Sequence, residues 1–259
     1  MDAPLKPGLA AREVSVRVGT RTLVNDLSIE FGPGEVIAIL GCNGSGKTLT
    51  LHTLAGLRPP HSGSVHLDGV PFSELSRRAV AQRLGLLAQD IEDAFVTTAL
   101  EMVLIGRHPH MSLWQWESDA DERIAREALA AVELANFAER RSDTLSGGEQ
   151  RRVAVAALLA QEPGIFLLDE PTNHLDPHHQ LGVLGLFRKL AAAGSTVITT
   201  LHDPTLAARF ADRVLLLFGD GRWSAGPVRE VLTAASLSAL YNSPMIEIEK
   251  DGRRVFVSG

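Results

Sequence analysis

The run Gly41-Cys42-Asn43-Gly44-Ser45-Gly46-Lys47-Thr48 has the spacing G-x-x-x-x-G-K-[ST]. Glycines in such a run let backbone N–H groups curl around phosphate oxygens, at a helix N-terminus that favours negative charge. Lys47 can then reach the β- and γ-phosphates of a nucleotide, and the Thr48 hydroxyl can ligate Mg2+. A glycine-rich turn alone could be a plain strand–helix connection; the full spacing and its flanks argue for phosphate. A second group, Asp169 and Glu170, ends the apolar run Ile165-Phe166-Leu167-Leu168. Carboxylates there face the crevice in which open α/β sheets bind ligands. Asp169 would hold Mg2+ through its coordinated water, and Glu170 would orient and polarise an attacking water. The same pair could also cap the next helix. A third group, Ser146-Gly147-Gly148, precedes a helical run to about Gln161, and is either another anion-binding turn or only a cap.

These groups need elements to hold them. Val36 to Leu40 is a continuous apolar run, the pattern of a strand buried on both faces. A helix is predicted from near Lys47, fading before Pro59-Pro60. Leu9 to Phe31 alternates in two runs broken at Gly19-Thr20, which predicts antiparallel strands with one solvated face. Leu84 to Ala88 is a further short strand. From Thr98 to Phe137 alanine, leucine and alternating charges predict a helical insert. Strand-like Ile165 to Leu168, helix-like Pro177 to Ala193, strand-like Thr196 to Leu201 and helix-like Pro204 to Ala211 then alternate. That order implies βαβ crossovers and a parallel sheet. Met245 to Glu249 and Arg253 to Val257, around Asp251-Gly252, form a predicted hairpin.

Leu145-Ser146-Gly147-Gly148-Glu149-Gln150-Arg151-Arg152 resembles the signature motif of ATP-binding cassette (ABC) ATPases, and lies just before the carboxylate-bearing strand as in that family. Gln89 matches the family's Q-loop, Asn173-His174-Leu175-Asp176 its D-loop and His202 its H-loop. The motifs cover nearly the whole chain. The resemblance implies an α/β fold: a P-loop NTPase core with a mostly parallel sheet, an N-terminal antiparallel β subdomain and an inserted α-helical subdomain. It implies one domain over residues 1–259, with the insert at about 90–160. It further implies an ATPase that binds ATP and Mg2+. Gly41, Asn43, Gly44, Ser45, Gly46, Lys47 and Thr48 would cradle the phosphates. Thr48, Gln89 and Asp169 would hold the metal. Glu170, His202 and Gln89 would be catalytic, with His202 contacting the γ-phosphate and keeping the water and Glu170 in place. Ser146, Gly147, Gly148 and Asp176 would meet nucleotide in a head-to-tail dimer, where each ATP lies between the P-loop of one copy and the signature motif of the other. One position departs from the pattern: where the family commonly stacks an aromatic ring on adenine, this chain has Val18. Weak base discrimination, with GTP able to substitute, is the expectation. Cys42 occupies a variable position and is assigned no chemistry.

Composition narrows the setting. The 259 residues carry 25 Lys+Arg against 31 Asp+Glu, a net charge of −6, which argues against a nucleic-acid footprint. The short pairs Arg77-Arg78, Arg140-Arg141 and Arg151-Arg152 read as solvated helix faces. A spanning helix needs about 20 apolar residues, and the longest run is Val153 to Ala160. Met1 to Gly8 lacks a secretory apolar core, and Cys42 is a single cysteine, so the expected place is the cytoplasmic face of the inner membrane, as a peripheral protein. Membrane domains would then be separate permease chains, typical of importers, served by an extracytoplasmic substrate-binding protein. Gly106-Arg107-His108-Pro109-His110, Leu175-Asp176-Pro177-His178-His179-Gln180 and the Gly226-Pro227 to Tyr241 tail resemble the metal-chelate importers of iron-siderophores, haem and cobalamin. The alternatives are a transporter ATPase for another substrate and a non-transport ABC ATPase. The family's permease groove would use Ile91, Ala94, Phe95, Val96, Leu100, Met102, Val103 and Leu104, some of which must instead form the insert's own core. His108, His110, His178 and His179 read as ordinary loop histidines, since no cysteine or carboxylate set completes a ligand sphere.

Overall fold

The computed structural model describes residues 8–89, 97–112 and 116–259. Of the groove candidates, Ile91, Ala94, Phe95 and Val96 lie outside the described residues, as do residues 1–7. In chain order the elements are β1 (Leu9–Val18), β2 (Arg21–Phe31), β3 (Val36–Leu40), α1 (Lys47–Leu54), β4 (Ser62–Leu67), β5 (Val70–Pro71), α2 (Arg77–Ala81), β6 (Leu84–Leu87), α3 (Ala99–Leu104), α4 (Asp119–Ala131) and α5 (Gly147–Ala160). They continue with β7 (Ile165–Leu168), α6 (Pro177–Ala192), β8 (Thr196–Thr200), α7 (Pro204–Phe210), β9 (Arg213–Leu217), β10 (Trp223–Pro227), α8 (Val228–Val231), α9 (Ala234–Tyr241), β11 (Met245–Lys250) and β12 (Arg253–Ser258).

The alternating N-terminal runs pair as predicted, with Leu9 opposite Phe31 and Val18 opposite Arg21. Not predicted are β4 and β5, which extend this antiparallel sheet to the order β2-β1-β4-β5. The segment Ser62-Gly63-Ser64 has little strand character of its own; it is held by pairing with β1, Leu67 opposite Leu9.

The apolar strand β3, buried throughout, is central to a six-stranded sheet of order β10-β9-β3-β8-β7-β6. Its strands are parallel except β10, which pairs antiparallel with β9. Parallel strands end on one edge. That edge receives the residues after β3, β6, β7 and β8, so four loops far apart in sequence open onto one crevice. The two sheets share a core with α1: Leu27, Ile37, Leu51 and Ile198 are buried in one cluster.

The predicted insert is helical. Leu100 and Val103 of α3, Ala125 and Leu129 of α4 and Val153 and Ala156 of α5 share a buried cluster with Phe166 and Phe187. Leu100 and Val103, candidates for a permease groove, are therefore core residues, while Met102 and Leu104 pack against that core partly exposed. The Gly106-Arg107 pair gains a physical reason. A Cβ on Gly106 would lie 2.1 Å from the Ala157 carbonyl oxygen, so only glycine allows this approach to α5. Buried Arg107 donates Nε to Asp121 (2.9 Å) and an amino group to the Ala160 carbonyl (2.7 Å). Hydrogen bonds from Ser118, then from Arg107, hold the Asp121 carboxyl at about 2, so this clamp stays charged into strong acid.

Candidate functional site

The loop after β3 is shaped by its glycines. A Cβ on Gly41 would lie 2.4 Å from Ser45 Oγ and 2.5 Å from the Leu217 carbonyl oxygen. Gly46, at φ 99°, sits in the left-handed region immediately before α1. The loop therefore curls tightly and turns its amides toward the helix N-terminus. Lys47 is buried and donates Nζ to the Gly41 (2.9 Å) and Cys42 (3.3 Å) carbonyls. Burial lowers its pKa from the usual lysine value, opposed by the nearby carboxylates of Glu170 and Asp169.

The end of β7 is the most constrained part of the site. Glu170 has φ 49°, a left-handed backbone costing roughly 1–2 kcal/mol for a residue with a side chain. Several bonds impose it. The Glu170 N–H donates to Thr200 Oγ1 (2.8 Å), and that hydroxyl donates to Asp169 Oδ1 (2.7 Å). The Glu170 carboxylate pairs through Oε1 with His202 Nε2 and accepts at Oε2 from the Asn173 amide. Backbone of this kind persists where the surrounding bonds over-determine it. Asp169 is fully buried, and its Oδ2 has no hydrogen-bond partner among the described residues.

Arg151 corrects the sequence reading of a solvated Arg151-Arg152 face. It is 2% exposed, and its guanidinium donates to the carbonyls of Ala88, Gln89 (3.3 Å), Asp169 and Glu170 (2.9 Å). One side chain of α5 thus ties the end of β6 to the end of β7. Arg152 is only half-withdrawn and donates to the Val132 carbonyl at 3.1 Å.

A cavity of about 570 Å³ gathers Val18, Arg21, Leu23, Asn43, Gly44, Gly46, Lys47, Thr48, Leu49, Gln89, Glu170 and His202. Residues from β1, β2, the phosphate loop and the ends of β6, β7 and β8 are thereby brought together. Its size suits a nucleotide-sized ligand. Val18 is 53% exposed at its mouth and offers no ring. Ser146, Gly147, Gly148 and Asp176 do not line it. Ser146 caps α5 by accepting from Glu149 N–H (3.3 Å), while Glu149 accepts from Ser146 N–H (2.7 Å). Asp176 caps α6, accepting from the His179 N–H at 3.0 Å. The signature turn packs on the following loop: a Cβ on Gly148 would sit 3.1 Å from the His174 carbonyl oxygen. The Thr48 hydroxyl, the Gln89 side-chain carbonyl and Asp169 Oδ2 are oxygen donors of the kind a hard divalent cation takes.

The far wall of the phosphate loop is closed by the C-terminal segment. Cys42 Sγ donates to the Leu240 carbonyl at 3.2 Å, and the burial of Tyr241 beside it pushes that phenol up to about 12. Loop histidines find ordinary partners: His110 Nε2 bonds to the Gln161 carbonyl (2.8 Å) and His179 Nδ1 to Asp176 (2.8 Å).

A family model described as ABC transporter matches residues 24–173. The chain is similar to the hemin import ATP-binding protein of Streptomyces coelicolor, 40% identical over 93% of this chain and 87% of that one. It is 36% identical to the ferric enterobactin transport ATP-binding protein of Escherichia coli, over 90% of this chain and 86% of that one. Among solved structures, a putative metal-chelate type ABC transporter in an inward-facing conformation superposes with a TM-score of 0.85 at 28% identity, covering 98% of both chains. A dimeric ATP-binding cassette with bound ADP and phosphate superposes with a TM-score of 0.72 at 29% identity, over 83% of this chain and 97% of that one.

Proposed function

This chain belongs to the ABC transporter family, and we propose that it is the ATPase subunit that drives import of a metal chelate of the hemin or iron-siderophore kind. The observation that carries the ATPase chemistry is the single cavity joining the phosphate loop to Gln89, Glu170 and His202. The roles named for the hemin and enterobactin relatives support the cargo class.

In this reading the loop amides and Lys47 bind the β- and γ-phosphates. Lys47 exchanges its Gly41 and Cys42 carbonyl partners for phosphate oxygens. Glu170 orients the attacking water and takes its proton, and His202, paired with Oε1, fixes the carboxylate and faces the γ-phosphate. Thr48, Gln89 and Asp169 would hold Mg2+, which supplies charge neutralisation between the phosphates. The signature turn at the start of α5 lies outside this cavity, which supports its use on the nucleotide of a second copy in a head-to-tail dimer. No helix among the described residues is long and apolar enough to cross a membrane. A separate permease, fed by an extracytoplasmic binding protein, completes the importer, and the chain works at the inner face of the membrane. We assign residues 1–259 to one cassette domain, with its helical insert at about 90–160.

Val18 should make the site tolerant of the base. Base stacking on an aromatic ring contributes about 1–3 kcal/mol in nucleic-acid complexes. Val18→Tyr is therefore expected to tighten ATP binding roughly 5- to 150-fold and to change the ATP/GTP ratio, read by nucleotide titration. Unchanged affinity and selectivity would remove Val18 from the base site. The cargo is tested by co-purifying the chain with its membrane partner and reconstituting both, with the binding protein, in liposomes. ATP-dependent accumulation of hemin or a ferric siderophore is expected; accumulation only of an amino acid or sugar would overturn the metal-chelate reading.

A further inference from the structure

Away from the nucleotide, a second cavity of about 430 Å³ lies between the end of α4, Arg152 of α5 and the first turns of α6. Two features of its wall are unexplained by the packing of this chain. Gly182 and Gly185 stand inside α6, where each costs about 1 kcal/mol relative to alanine. A Cβ on either would meet nothing within 4 Å, so no neighbouring atom requires the missing side chains. The wall also carries fixed positive charge. Arg152 and Lys189 line it against one carboxylate, Glu133, with the His178 and His179 imidazoles beside them. Arg152 Nε is buried and has no hydrogen-bond partner among the described residues. The remaining wall is mostly aliphatic.

We propose that this cleft is a binding site for a small amphipathic anion, an apolar body bearing a carboxylate or comparable acid group. The glycine notch makes room for the body, the aliphatic wall covers it, and the acid group meets Arg152 and Lys189. Charge complementarity selects the sign: the polar wall offers the fixed cations Arg152 and Lys189 against the single carboxylate of Glu133. The ligand would bridge α4 and α5 of the insert to α6 of the sheet domain. It would also lie beside His179, which is bonded to Asp176 at the cap of α6 (2.8 Å). Occupancy would thus fill the seam between these helices without entering the nucleotide cavity.

The proposal rests on neither hydrolysis nor transport, and its test uses neither. Equilibrium dialysis of the full chain against 1-anilinonaphthalene-8-sulfonate, an amphipathic anion, is expected to show one saturable site that excess ATP leaves intact. Gly182→Leu, which fills the notch with a better helix former, should weaken binding at least 10-fold without lowering the melting temperature. Lys189→Glu should weaken it several-fold. Equal binding by all three proteins, or displacement of the dye by ATP, would overturn the site. Competition by laurate or by hemin then separates a fatty acid from a tetrapyrrole dicarboxylate as the source, and displacement by neither would overturn recognition of carboxylates.

Discussion

Glu170→Gln is expected to bind ATP as the unsubstituted chain does while turnover falls by about two to four orders of magnitude, the range a positioned general base contributes. The substitution keeps the shape and length of the side chain. The Thr200 hydroxyl still accepts from the backbone N–H, and Arg151 still donates to the backbone carbonyl, so the left-handed turn is preserved. What is lost is the proton acceptor. Because each ATP in this reading lies between two copies and joins them, a variant that keeps its ATP should also accumulate as a dimer, visible by size-exclusion chromatography. Nucleotide titration and single-turnover hydrolysis separate the two effects. Turnover within 5-fold of the unsubstituted chain would remove Glu170 from the catalytic role.

Arg151→Ala should produce the second large effect, through position rather than contact with nucleotide. The guanidinium serves the carbonyls of Ala88, Gln89, Asp169 and Glu170. A buried polar group left without a partner costs about 1–3 kcal/mol, and neighbouring costs do not simply add. A loss of about 3 kcal/mol is expected, which for a chain of this size lowers the melting temperature by roughly 6–12 °C. The kinetic signature is a turnover rate slowed at least tenfold while the Michaelis constant for ATP stays within about threefold, because the phosphate loop does not depend on this residue. Arg151→Lys should recover part of the stability but little of the turnover, since a single ammonium cannot fork across two strand ends. A weaker apparent affinity for ATP with turnover unchanged would contradict the positioning role.

The phosphate loop, β3, β7 and β8 were legible because their information is local: a fixed spacing of glycines and lysine, or a short unbroken apolar run. The insert was legible as helix from its composition. Arg151 was not. Two adjacent arginines on a helix point about 100° apart, so sequence adjacency alone cannot tell which one turns inward. Only the docking of α5 on the ends of β6 and β7 decides that Arg151 is buried and Arg152 half-withdrawn. The β4 strand was missed for the complementary reason: Ser62-Gly63-Ser64 becomes strand by pairing with β1, a partner some fifty residues away. Leu100 and Val103 show the same limit, since apolar residues suited to a groove are equally suited to the core they occupy. The left-handed backbone at Glu170 has no sequence signal at all, because glutamate is not a residue that favours it.

The position of β3 also dictates when this protein can be finished. Val36 pairs with Val197 on one side and Ile37 with Arg213 on the other, separations of 197 − 36 = 161 and 213 − 37 = 176 residues. At ribosomal rates of about 5–20 residues per second, the strand waits roughly 9–35 seconds for both neighbours to be synthesised. Throughout that interval a fully apolar segment, and the phosphate loop that follows it, has no sheet to join. Nascent chains stopped before β8 should therefore be recovered bound to chaperones or in aggregates, and nucleotide should first protect the chain from protease only after β9 has cleared the ribosome.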